Sequence, residues 1–108
     1  MTDRLRYSYP DLIGANKNLS YKRMINERGK AFLEFLVKNN LILIDPFKEN
    51  GDIKDDLRIF SSNLTQDGVE LFEKPFARWL SYLDRGGDIN DFSKLEKELF
   101  NIRTKKGE

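Results

Sequence analysis

The chain has no histidine and no cysteine among its 108 residues. These two residue types carry out much of the acid–base and nucleophilic catalysis near neutral pH, and they bind most transition metals. Their absence argues against an enzyme, so we assign no catalytic residue and no metal ligand, and we expect no cofactor. The chain is expected to act by binding another macromolecule.

Long hydrophobic runs are also missing. No apolar run approaches the roughly 18 residues that a membrane-spanning helix needs, and residues 1–10 lack the apolar stretch of a signal peptide. A small secreted domain would usually contain disulfides. We therefore expect a cytoplasmic protein without a membrane partner. The 34% charged and 12% aromatic residues suit one soluble domain with a real core.

Apolar side chains at helical spacing predict the first helix. It begins after Ser20 as N-cap and runs to about Asn39. Arg28 falls within the apolar stripe of this helix, where it requires a carboxylate partner. Leu33 and Val37 lie beside Lys30, away from the main stripe, and the sequence leaves open whether this flank is buried or exposed.

A second helical pattern follows Thr65 as N-cap and ends at Gly86-Gly87. Pro75 lies inside this pattern and removes a backbone hydrogen bond, which predicts a kink or two abutting helices. A last helix should follow, with Asp88 or Asn90 as its cap. Its apolar stripe would consist of Phe92, Leu95, Leu99 and Ile102.

Two short segments between the helical patterns have strand character. Leu41–Ile44 is a brief apolar run containing two β-branched isoleucines, and 57–60 alternates between apolar and polar positions. The polar residues 45–56 between them, here named the acidic loop, would join the two strands in a hairpin. The expected fold is a single α+β domain of order α-β-β-α-α, with an N-terminal arm at 1–19, the domain at 20–103 and a disordered tail at 104–108.

This order of elements resembles the winged-helix repressors of the multiple-antibiotic-resistance type. The matching segments are 36–42, 55–58 and 64–68, and the resemblance implies DNA binding through helices. Segment 21–40 carries five basic and two acidic residues, whereas 45–58 carries three basic and five acidic ones. An acidic wing would repel phosphate, so DNA binding is the alternative function. Its contacts would come from Lys22, Arg23, Lys30 and Lys38.

The chain also resembles, in type, the small cytoplasmic immunity proteins of contact-dependent growth inhibition and related polymorphic toxin systems. The residues nearest to a signature are the segment Leu64-Thr65-Gln66-Asp67-Gly68 and the segment from Trp79 to Gly86. The resemblance implies a tight one-to-one complex with a cognate protein toxin, often a nuclease, whose active site the immunity protein occludes.

Two groups of residues are candidates for binding such a partner. The first is the set of carboxylates in the acidic loop, which could complement a basic active site. The second is a flank of the helix after Thr65, away from its apolar stripe. Solubilising turn residues and a covered flank are the alternatives, and a symmetric homodimer would also explain apolar flanks. The candidate residues are Glu49, Asp52, Asp55, Asp56, Leu71, Arg78 and Tyr82.

Overall fold

In the computed structural model, the described part of the chain, residues 3–14 and 18–106, contains five α-helices, one 3₁₀ turn at Ser61–Asn63 and one two-stranded antiparallel sheet. The α+β class predicted from the sequence is therefore confirmed. The strands and α-helices follow along the chain as β1 (Leu5–Ser8), α1 (Tyr9–Gly14), α2 (Leu19–Lys38), β2 (Arg58–Phe60), α3 (Gln66–Leu71), α4 (Lys74–Asp84) and α5 (Ser93–Lys106), with the 3₁₀ turn between β2 and α3.

Helix α2 is the long helix that the periodicity predicts. Its N-cap is Asn18 rather than Ser20, because the Asn18 side chain accepts the backbone N–H groups of Ser20 and Tyr21 at 2.8 and 3.3 Å. Arg28 has the carboxylate partner expected for it, with Nη1 2.7 Å from Oδ1 of Asp84. This ion pair joins α2 to the end of α4.

The sheet pairs different segments from those predicted. Strand β2 lies antiparallel to β1, with Tyr7 opposite Ile59 and Ser8 opposite Arg58. The predicted strand at Leu41–Ile44 is absent, and the acidic loop does not join two paired strands. Part of the expected N-terminal arm therefore forms the sheet, while residues 15–17 of the arm lie outside the described residues.

The end of α2 explains why Leu41–Ile44 is not a strand. Asn40 adopts a left-handed conformation with φ of 58°, and the N–H groups of Asn40 and Leu41 donate to the carbonyls of Val37 and Leu36. This pattern is a Schellman motif with asparagine at the left-handed position. The Leu41 carbonyl then accepts the Thr65 N–H at 3.0 Å. The Leu43 N–H donates to the Asn63 carbonyl at 2.7 Å, and these two hydrogen bonds form an isolated bridge between Ile42 and Leu64. The pairing extends no further, because a 3₁₀ turn ends at Asn63 and Thr65 caps α3.

The helical segment after Thr65 is divided, as Pro75 predicts. Helix α3 ends at Leu71 and α4 begins at Lys74, so that the proline occupies the first turn of α4, where its missing N–H costs little. Thr65 is the predicted N-cap of α3, since its hydroxyl accepts the Gly68 N–H at 3.1 Å. Gly86, with φ of +92°, ends α4 in a second Schellman motif.

Helix α5 differs from the prediction at both ends. Its first N–H, on Ser93, donates to the Asp91 carboxylate at 3.0 Å. The carboxylate of Asp88 instead accepts the Asn90 N–H, so neither residue caps α5 as expected. The helix runs to Lys106, and residues 104–106 of the predicted tail are therefore helical. Gly107 and Glu108 lie outside the described residues.

Aromatic rings form the centre of the core. Phe32 of α2 stacks on Phe76 with ring centroids 4.1 Å apart and meets Phe72 edge-on at 5.0 Å. Trp79 is fully buried beside Phe32 and Phe76, and it also stacks on Phe92. These contacts hold α2, α4 and the start of α5 together. Such ring pairs stabilise by about 0.5–1.5 kcal/mol each beyond the apolar area that they bury.

We predict that Gly29→Ala lowers the free energy of unfolding, although alanine favours helices. A Cβ atom at position 29 would lie 2.5 Å from the Tyr7 hydroxyl oxygen and 3.2 Å from Cδ1 of Ile53. Overpacking of this kind costs about 1–3 kcal/mol. Urea denaturation of Gly29→Ala, Tyr7→Phe and the double variant measures the coupling. Tyr7→Phe should remove most of the cost, and additive effects of the two changes would contradict the predicted clash.

At position 40 we expect glycine to be tolerated and valine to be destabilising. Asn40→Gly should keep or slightly raise the free energy of unfolding, because glycine adopts positive φ without strain. Asn40→Val should lower it by about 1–3 kcal/mol, since a β-branched residue is strained there. Thermal and urea denaturation of the pair checks the turn, and equal stability of the two variants would refute it.

Candidate functional site

The acidic loop, residues 45–56, is a closed turn. Phe47 and Ile53 form a bridge, and the Lys54 N–H donates to the Pro46 carbonyl at 3.0 Å. Asp45 and Asn50 each close a local turn, because their side-chain oxygens accept the N–H two residues further on, both at 3.0 Å. Backbone and side-chain hydrogen bonds therefore give the loop one defined shape.

Three apolar side chains attach the acidic loop and the residue that follows it to the core. Pro46 and Ile53 are fully buried, and Leu57 is nearly so. Ile53 packs where Gly29 leaves the surface of α2 open. This close packing pre-organises the loop, which reduces the entropy that a binding partner would have to remove.

The four predicted acidic side chains all point into solvent from this turn. Glu49, Asp52, Asp55 and Asp56 are exposed. Asp55 lies 3.0 Å from Lys48 Nζ, and Asp52 lies 3.9 Å from Lys30 Nζ. Exposed pairs of this kind contribute little to stability. The resulting surface is mainly negative. Glu49 and Asp56 are exposed on it and take part in neither of these two ion pairs.

Tyr9 lies next to the end of the acidic loop, where its N–H donates to the Leu57 carbonyl at 3.0 Å, and the sequence did not predict it as part of the site. Its hydroxyl donates to Asn26 Oδ1 at 2.9 Å. Burial raises the pKa of Tyr9, and the charges of Asp55 and Asp52 raise it further. The same two charges that face solvent therefore also act on a tyrosine at the start of α1. Tyr9 and the acidic loop are far apart in the sequence, and no sequence pattern indicates that they lie close together.

The second group of predicted site residues is divided by the structure. Leu71 is fully buried, with 0% exposure, so it belongs to the core and cannot contact a partner in the folded protein. Helical phase placed it off the apolar stripe, but α3 ends at Leu71, and the change of direction before α4 points this side chain inward. Arg78 is exposed, and its Nη1 lies 2.8 Å from Glu98 Oε1 on α5.

Tyr82 is half-buried and holds the connection between α4 and α5. Its hydroxyl donates to Asp91 at 3.2 Å and accepts the Asp88 N–H at 3.3 Å, while Lys94 lies over its ring. Hydrogen bonds from the Ser93 side chain and backbone lower the pKa of Asp91, and Tyr82 adds to this effect. Tyr82 therefore has a structural role, and Arg78 is the exposed member of this group.

A groove of about 760 Å³ between α2 and α5 was not predicted. Its apolar lining includes Phe35 and Leu99, together with Phe100, which is 68% exposed. A signal existed in the sequence, since Phe100 falls outside the apolar stripe of its helix. We name this feature the α2–α5 groove. Its charged lining residues are Glu34, Lys38, Glu96 and Arg103.

The structure also decides the burial question on α2. Leu33 is fully buried and Val37 is 44% exposed. Of the basic residues considered for DNA, Lys30 lies beside Asp52 and Lys38 lines the α2–α5 groove. Two of the four basic residues proposed for DNA binding are therefore placed elsewhere: Lys30 next to an acidic side chain and Lys38 in the groove lining.

Comparisons with known proteins returned no match, whether against family models, curated proteins or solved structures. Within residues 3–14 and 18–106, no group of three or more acidic side chains is arranged to hold a metal ion. None of the helices described is long and apolar enough to cross a bilayer.

We predict that stability falls as the pH rises above about 10, the pKa of tyrosine in an unfolded chain. Burial and Tyr9 raise the pKa of Tyr7, and the pKa of Tyr9 is raised as well. The folded chain thus keeps protons that the unfolded chain loses, so this contribution is complete below pH 10 and decreases above it. Urea denaturation between about pH 8 and 11 measures the decline. Tyr7→Phe should make the decline shallower, and an unchanged slope would contradict the assignment.

Proposed function

We propose that this chain is a protein-binding inhibitor, a cytoplasmic immunity protein that neutralises a cognate toxin. The acidic loop would cover a basic active site, such as that of a nuclease, and exclude substrate sterically. The inhibitor needs no catalytic group of its own, which agrees with the lack of histidine and cysteine. Complementary charge would set the register of the complex and its rate of formation.

The observation that supports this proposal most is the combination of rigidity and charge in the acidic loop. Buried Pro46 and Ile53 hold the backbone in place, while Glu49, Asp55 and Asp56 remain exposed. A disordered acidic segment would lose much of its interaction energy on ordering, whereas this turn is already formed. Arg78, exposed on α4, is a second candidate contact.

The alternative, a DNA-binding regulator, has less support. A wing that contacts phosphate should be basic, but the acidic loop presents carboxylates. The helix-turn-helix of the winged-helix repressors needs two short helices before the first strand, whereas α2 is one 20-residue helix. We retain DNA binding as an outcome that the experiment can identify.

The test begins with capture of partners by the tagged chain from the cells that make it, at about 150 mM salt, with half of the sample treated with nuclease. We expect one stoichiometric protein that survives nuclease. Expression of that protein alone should arrest growth of a host strain, and co-expression of the wild-type chain should restore growth. Recovery of DNA that is lost on nuclease treatment, or a captured protein without toxicity, would contradict the proposal.

Single charge reversals then locate the contact surface on the captured partner. Glu49→Lys and Asp56→Lys should each slow association about tenfold or more at low salt, because they remove electrostatic steering without breaking a described ion pair. Glu27→Lys is the matched control, since Glu27 is exposed on α2 near Arg28 and Asp88. Stopped-flow kinetics measures the rates. Equal rates for all three variants would exclude the acidic loop as the docking surface.

A further inference from the structure

Phe100 is an exposed aromatic side chain beside a groove with apolar lining. It is 68% exposed on α5, although a ring of this size is among the most costly side chains to leave in water. The adjoining α2–α5 groove has a volume of about 760 Å³ and includes Phe35 and Leu99 in its lining. A protruding apolar group next to an apolar recess can pair with a second copy of itself in a twofold interface, where the same patch of both copies is used.

Two side chains of opposite charge lie on α5 before and after Phe100. Glu96 and Arg103 both line the groove, and the midpoint between them in sequence falls between Leu99 and Phe100. If a second α5 lies antiparallel across this midpoint, Glu96 of each copy faces Arg103 of the other, and Phe100 faces Leu99. A parallel arrangement would instead place like charges together.

Arg103 has the capacity for this additional contact. Its Nε donates to Asp67 Oδ2 at 3.4 Å, and its Nη2 donates to the Asn39 carbonyl at 3.3 Å. A guanidinium group has further N–H donors, and the side chain is half-exposed. The two internal contacts hold the arginine in position beside the groove, so that less entropy is lost when it pairs with a carboxylate.

From these observations we propose that the chain forms a twofold symmetric homodimer through α5. Phe100 of each copy enters the α2–α5 groove of the other, and two Glu96–Arg103 pairs flank the contact. The interface uses neither the acidic loop nor Arg78, so it does not depend on the proposed inhibitor function. A dimer would present two acidic loops and could bind two copies of a partner.

Analytical ultracentrifugation of the full chain between about 1 and 500 µM, a range that covers weak to moderate dimers, tests the proposal. We expect a concentration-dependent dimer, and Phe100→Asp should weaken association at least about tenfold. Circular dichroism establishes that this variant is folded, which is expected because Phe100 is exposed. Monomer throughout the range, or a dimer that a folded Phe100→Asp variant leaves unchanged, would overturn the proposal.

A charge exchange tests the antiparallel register. Glu96→Arg and Arg103→Glu should each weaken self-association about tenfold, because each places like charges opposite one another. Mixed together, the two variants should form a heterodimer, since every facing pair is then opposite in charge. Lys97→Glu, on the exposed surface of α5 outside the groove lining, should behave as the wild type. Failure of the mixture to associate would exclude this register.

Discussion

The left-handed turn at Asn40 is the constraint on which the rest of the fold depends. It ends α2 and returns the chain so that the Leu41 carbonyl accepts the Thr65 N–H. A Cβ at Gly68 would clash with that carbonyl oxygen, so α3 approaches the turn as closely as glycine allows. The short helix is thereby fixed against the end of the long one. The Leu41 N–H closes the end of α2, and the partner segment enters helical turns on both sides of Leu64, so this pairing stops at the Ile42–Leu64 bridge and the sheet is formed by β1 and β2.

The aromatic core follows from the same geometry. Once α3 lies against the end of α2, Phe72 and Phe76 meet Phe32, and Trp79 continues the contact towards α5. The acidic loop spans the distance between the turn and β2, and its apolar residues pack on α2 where Gly29 leaves space. The same burial that stabilises the fold therefore gives the charged surface its rigidity. Binding surfaces on such supports lose little entropy when a partner binds.

The surfaces available for binding differ in character. The acidic loop is rigid and negative, which suits long-range steering towards a basic partner. The α2–α5 groove is apolar with charges of both signs, which suits a close contact of limited size. Arg78 and Tyr82 lie along the α4–α5 contact, where Glu98 and Asp91 already engage them. A protein of this size can thus carry one surface for a partner and another for its own copy.

The sequence by itself determined helices α2 to α5 but not α1, together with the break at Pro75, the cap at Thr65 and the partner requirement of Arg28, because each of these depends on local periodicity or on one residue's chemistry. It also identified the exposed carboxylates, since charged turn residues remain in water in most folds. Only the tertiary structure decided that β1 pairs with β2, that Leu71 is buried and that Tyr9 lies beside the acidic loop. Those outcomes depend on the direction in which the chain leaves α2 and α3, and contacts between residues so distant in sequence leave no periodic pattern.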